Sequence, residues 1–208
     1  MRLAVLAAVA VLTASGAERL EAQQRVPTAP FGIPLGTPLA TLRDRFGATP
    51  GGWIPGWWKL THVPSPLPPF EGYRVLVSPT RGVCSITAST PRFRSRPDGT
   101  EAKRALAAAR DSLQAVYGEG ELSESVGLFP TLTRPEEWMR SVHSRERYYG
   151  ALWRGSSTVL LAGLENVTLQ VFAVAPDTAF IDVGVSVAHR GDCIRELQEA
   201  ERRGEARP

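Results

Sequence analysis

The residues able to do acid–base, nucleophilic or metal chemistry are few in this chain and lie far apart. Its three histidines are His62, His143 and His189, and its two cysteines are Cys84 and Cys193. A metal-binding helix sets ligands three or four positions apart so that both reach one ion. Upstream of His143 those positions hold Met139 and Arg140, and the Asp192 after His189 falls at a strand-to-helix junction, where the spacing is uninformative. No metal and no cofactor is therefore expected. The Gly-X-Ser-X-Gly elbow of a serine hydrolase is missing, and Gly155-Ser156-Ser157 reads as a hairpin turn. Gly118-Glu119-Gly120 lacks the strand-to-helix context of a phosphate cradle. Asp111, Glu119, Glu121 and Glu124 read as a solvated acidic stretch, because nothing sets the separation that a carboxylate pair needs in glycoside hydrolysis. One enzymatic reading remains as the alternative: a small exported hydrolase in which His143 or His189 works with a carboxylate.

Residues suited to binding are more concentrated. Trp53, Trp57 and Trp58 precede Pro64-Ser65-Pro66-Leu67-Pro68-Pro69, and Tyr73 follows. Aromatic rings beside a proline-rich segment form platforms for peptides or sugars; they also cover the ends of sheets, and both readings stay open. Arg92, Arg94 and Arg96 share one polar loop, either solvated or able to attract an anionic envelope polymer. Asn166-Val167-Thr168 matches the glycosylation triplet, but its place in a predicted hairpin explains it.

The positioning elements begin after an export signature. Met1-Arg2 is a short basic start, Leu3 to Thr13 is apolar or small, and Ser15-Gly16-Ala17 precedes charged Glu18. That layout predicts a signal peptide over residues 1–17, with cleavage after Ala17 or alternatively Ala22. The apolar run is too short to span a bilayer, and no later segment is long enough. The expected location is periplasmic or secreted, a setting in which thiols oxidise. Cys84 lies on the Ile86 face of a predicted strand and Cys193 on the Leu197 face of a predicted helix, so a Cys84–Cys193 disulfide is expected.

Length and composition bound the rest. The 208 residues are 43% hydrophobic and 22% charged, the balance of a globular chain and not of a disordered one. The net charge of +3 drops by one when Arg2 leaves with the leader, too mild a charge to imply nucleic-acid binding. Lysine occurs only as Lys59 and Lys103, a skew that coding bias in a GC-rich genome explains.

Residues 18–34 read as a flexible lead-in. The domain proper spans 35–204, and a split into two modules near 119–132 is the second arrangement the pattern allows. Thr37 and Pro38 open a helix whose face is Leu39, Leu42 and Phe46, and Gly47 closes it. Tyr73, Val75 and Val77 alternate as one strand; Cys84, Ile86 and Ala88 alternate as the next. Asp98 and Glu101 open a helix with Ala102, Leu106, Ala109, Leu113 and Val116 on its face. Thr133-Arg134-Pro135-Glu136 opens a shorter one carrying Trp138, Met139 and Val142. Four strands follow, Tyr148–Arg154, Thr158–Leu164, Val167–Ala175 and Ala179–Ala188, with turns at Gly155-Ser156, Glu165-Asn166 and Pro176-Asp177. Links so short force antiparallel pairing. The fold class is therefore α+β: an antiparallel sheet ending in a four-strand meander, with helices packed against it, closed by a helix carrying Cys193, Ile194, Leu197 and Ala200.

The stretch Gly36 to Pro50, with Gly36, Thr37, Leu42, Phe46, Gly47 and Pro50, resembles the opening module of small outer-membrane-assembly lipoproteins and of β-lactamase inhibitory proteins. The resemblance implies a helix followed by an antiparallel sheet, and non-enzymatic protein binding. The chain departs from the lipoproteins in having no cysteine for acylation. Together these features predict an exported non-catalytic protein that binds an envelope or extracellular protein or polymer.

Overall fold

The computed structural model describes residues 29–52, 54–154 and 164–204. The predicted signal peptide and Trp53 lie outside them. Among the described residues are four α-helices, α1 (Leu39–Phe46), α2 (Thr100–Tyr117), α3 (Trp138–His143) and α4 (Arg190–Arg202). Nine strands form one sheet: β1 (Thr49–Pro50), β2 (Trp57–Leu60), β3 (Gly72–Ser78), β4 (Gly82–Ser89), β5 (Phe93–Arg94), β6 (Glu121–Val126), β7 (Arg147–Arg154), β8 (Leu164–Ala175) and β9 (Thr178–Val187). Their order is β1-β2-β3-β4-β9-β8-β7-β6, with β5 also on β9 and every pairing antiparallel. The fold is α+β.

Two meanders, β1–β4 and β6–β9, each follow a helix and meet where β4 pairs with β9. The second meander's leading helix begins at Thr100. Within the predicted acidic stretch, Asp111 lies in α2 while Glu121 and Glu124 lie on the edge strand β6, with Glu124 accepting from the Trp138 indole at 3.0 Å.

Alternation explains the core. Trp58, Val75, Ile86, Val185, Val167 and Trp153 are successive register partners across six strands, and all are buried. Helices α1, α2 and α3 bury their apolar stripes against this face through Leu42, Leu106, Leu113 and Met139. The last buried residue of α2 is Tyr117, not Val116, one step further around the helix. Thr37 turns its hydroxyl back to the Pro34 carbonyl at 2.6 Å, so α1 begins after Pro38 without a side-chain cap. Gly47 ends it with φ of 62°, a left-handed conformation costly for a residue with a Cβ.

Two expectations need correction. The lead-in is anchored at its end: Pro30–Gly32 forms a 3-10 turn with Phe31 and Ile33 buried. Phe31 packs edge-on against Phe70 and Tyr73, distant partners that no local period reveals. The Glu165-Asn166 turn does not exist, because β8 runs through it and absorbs the irregularity as a register shift between Leu164 and Asn166. The separate Thr158–Leu164 strand falls outside the described residues, save Leu164 at the start of β8.

Helix α4 lies across the tip of the β3–β4 hairpin. The Cys84–Cys193 disulfide ties it there, with Val187 and Leu35 packed around the bridge. A register shift between Leu76 and Val77 leaves Cys84 without a partner on β3, and Val83 and Cys84 are both buried. Glu196 adds a polar clamp, accepting from the hydroxyls of Ser78 and Thr80 and from Arg81 Nε at 2.7 Å. The Ser78 hydroxyl, then Thr80 and Arg81, hold its carboxyl down at about 2. A depressed folded pKa contributes stability that is present above the unfolded value and lost as pH falls through the folded one. Glu196→Ala should therefore lower unfolding free energy by roughly 1–3 kcal/mol at pH 7, judged from charge-assisted hydrogen bonds. Urea titrations at pH 7 and pH 3 check this: the variant's deficit should shrink at the lower pH.

Candidate functional site

The sheet face opposite helices α1–α3 presents polar and small side chains in rows set by the same register. One row runs Trp57, Leu76, Ser85, Ser186, Asn166 and Arg154. The next runs Lys59, Arg74, Thr87, Gly184, Thr168 and Leu152. A third runs Gly72, Ser89, Asp182, Gln170 and Gly150. Beyond it Phe172 opposes Phe180, the rings stacked with centroids 5.4 Å apart. Small residues in the middle rows and large ones at the margins leave a trough of about 280 Å³, with Trp57 and Arg190 among its lining at one end and Phe172 at the other.

Gly150, at the end of the third row, shows how closely the strands pack there. A Cβ there would lie 2.2 Å from the Leu169 carbonyl oxygen and 2.5 Å from the Tyr148 hydroxyl, so the phenol lies over the glycine.

Among the described residues four buried side-chain polar atoms lack a hydrogen-bond partner: Thr87 Oγ1, Asp182 Oδ1, Arg190 Nε and Arg110 Nε. The first three belong to residues lining this one trough. Each such atom costs about 1–3 kcal/mol while it stays unpaired. Their convergence on one hollow is the strongest functional signal in the molecule.

Asp182 is the most costly of them. Its side chain is 15% exposed, and the Arg74 guanidinium stands 3.7 Å away without forming a hydrogen bond to Oδ1. Burial pushes its carboxyl up to about 6, with Arg74 opposing the shift. In this case the folded state binds the proton more tightly than the unfolded one, so stability falls as pH rises between about 4 and 6. Replacing Asp182 by Asn should flatten that dependence and raise stability at pH 7 by on the order of 1–3 kcal/mol. Thermal melts of both proteins from pH 4 to 7 provide the check; a parallel pair of curves would show that Asp182 is comfortably solvated.

The structure sorts the sequence candidates. Trp57 is half-buried in the trough wall, with the Arg74 guanidinium 6.0 Å from its ring. Trp58 turns to the opposite side and is buried in the core, with Arg43 stacked 4.7 Å over it. Tyr73 is buried as well, its hydroxyl donating to the Phe70 carbonyl at 3.1 Å and accepting from Leu67 N–H at 3.2 Å. Alternation separates Trp57 from Trp58, which is why one contiguous platform of both rings does not form. Arg94 is paired with Asp177, and Arg96 with Glu101 at 3.1 Å. Arg92 has no carboxylate partner among the described residues, and it lines a second hollow with Lys59 and Arg74.

None of the three histidines lines the trough. His62 Nε2 lies 2.7 Å from the Arg45 carbonyl oxygen, His143 Nδ1 lies 3.2 Å from the Ala173 carbonyl oxygen, and His189 precedes α4. No group of three His, Cys, Asp or Glu side chains gathers for a metal among the described residues. No described helix is long and apolar enough to cross a membrane.

Thr87, Gln170, Asp182 and Arg190 were not singled out from sequence. Their signal was present as the outward half of each alternating strand, but an outward residue in one strand gives no sign that neighbouring strands bury it. No protein-family model, curated protein or solved structure matches this chain.

Proposed function

We propose that this chain is an exported, non-catalytic binding protein that holds an envelope or extracellular macromolecule on the open face of its sheet. The observation that carries the reading is a trough lined by Thr87, Asp182 and Arg190, three residues that each bury a partnerless polar atom. A sheet face held rigid by a packed core on its far side is pre-organised, which reduces the ordering cost of binding. The Met1 to Ala17 pattern and the disulfide support export, since such bonds persist in oxidising compartments. No histidine stands among the residues that line the trough. The resemblance of Gly36 to Pro50 to protein-binding modules points the same way.

Filling the trough tests the reading. Thr168→Trp places an indole in the middle row, where an aromatic residue suits a strand. Immobilised wild-type protein should retain an envelope macromolecule that the variant releases at equal loading and with an unchanged circular dichroism spectrum. Equal retention by both proteins would remove this face from the reading.

A further inference from the structure

The trough adjoins a second hollow of about 340 Å³ on the same face, and the two differ in charge. Lys59, Arg74 and Arg92 line the second one, and no carboxylate does. Lys59 and Arg74 are direct register partners on neighbouring strands. Like charges directly opposite each other destabilise an antiparallel pair, so their placement is a cost that an incoming anion relieves. Arg74 has Asp182 as its ion-pair partner, 3.7 Å away; Lys59 and Arg92 have none among the described residues. The boundary between the hollows is shared twice, by the Arg74–Asp182 pair and by the Phe172–Phe180 stack.

The first hollow asks for different chemistry. It offers hydroxyls from Thr87, Thr168 and Ser186, amides from Asn166 and Gln170, the carboxylates of Asp182 and Glu165 and the guanidinium of Arg190, with Trp57 at its margin. Mixed donors and acceptors around one flat ring match a pyranose, whose hydroxyls both donate and accept and whose C–H face lies on an aromatic ring. A purely anionic chain such as polyphosphate satisfies the cations but would set its charge against Asp182 and leave the amides unused.

We infer that the face takes an acidic oligosaccharide, with a sugar ring in the Asp182 hollow and the carboxylate or sulfate of a neighbouring residue against Lys59, Arg74 and Arg92. This rests on the binding reading of the same face and names its ligand class.

Calorimetric titration of the full mature chain tests it with hexagalacturonate, a heparin hexasaccharide, methyl-esterified hexagalacturonate and polyphosphate. At least one of the two acidic saccharides should bind; heparin carries carboxylates as well as sulfates, so a desulfated heparin hexasaccharide that binds as well as its parent assigns the anionic group as carboxylate, and one that binds more weakly assigns it as sulfate. The ester should bind about tenfold more weakly than the acid if carboxylate is the group, and added salt should weaken the acidic ligand while barely affecting the ester. Lys59→Ala with Arg92→Ala should cost the acidic ligand about tenfold, and Gln170→Leu should weaken binding of charged and esterified sugars alike. Binding of polyphosphate as tight as that of the better saccharide would overturn the inference by reducing the face to a basic patch. Failure of both acidic saccharides, while Thr168→Trp still abolishes retention of an envelope macromolecule, would overturn the ligand class and leave the face assigned. Failure of both tests would overturn the face and the ligand class together.

Discussion

Replacing Cys84 and Cys193 together by Ala is expected to lower the unfolding free energy by on the order of 4–5 kcal/mol. The bridge spans 109 positions, and a loop that long gives the unfolded chain much freedom to lose when it is closed. Its Cα atoms stand 6.5 Å apart, within the range that unforced bridges occupy. The functional consequence follows from α4. That helix begins at Arg190, whose side chain lines the trough, and the bridge holds its first turn to β4. Losing the bridge leaves the Glu196 clamp and the Leu197 contact at Gly56 to hold the helix. Guanidinium unfolding of the oxidised wild type, the reduced wild type and the double variant measures the effect. Reduced and double-variant proteins should unfold at nearly the same denaturant concentration, well below the oxidised protein. A difference under about 1 kcal/mol would mean that the unfolded chain already keeps the two segments together.

The second large effect is expected at Trp153. Its side chain is fully buried at the end of the core row, and its indole N–H donates to the Gly118 carbonyl at 2.8 Å. The ring lies on Gly120, where a Cβ would come within 2.3 Å of it. Trp153 therefore holds the link between α2 and β6 against β7, and Trp153→Ala should cost roughly 3–5 kcal/mol through the cavity and the orphaned carbonyl. The trough should feel the change, because Leu152 and Arg154, the neighbours of Trp153 on β7, sit on the other face opposite Thr168 and Asn166. A urea titration with hydrogen exchange across β6 and β7 is the appropriate measurement. Exchange should accelerate in those two strands first; uniform acceleration throughout would show that the indole acts on the whole core rather than on this edge.

Local patterns made much of the architecture legible before any coordinates. Leu39, Leu42 and Phe46 before Gly47, the Ala102 to Leu113 stripe, and the alternation of Ile181, Val183 and Val185 each commit a segment to one period, and a period commits it to a helix or a strand with one inward face. Two cysteines on inward faces, in a chain with an export signature, led to the expected bridge. These are properties of neighbours in sequence, where side-chain direction repeats regularly. Tertiary structure decided what sequence neighbours do not encode. Phe31 found its aromatic partners about forty residues away, Glu165 and Asn166 entered a strand because β9 and β7 offered it ladders, and Trp57 parted from Trp58. Above all, the pairing of β4 with β9 set Thr87 and Ser89 beside Gly184 and Asp182. Whether a polar residue faces water or a shared trough depends on the strands beside it and on the shape of the face they make. Those are long-range quantities, and only the assembled sheet possesses them.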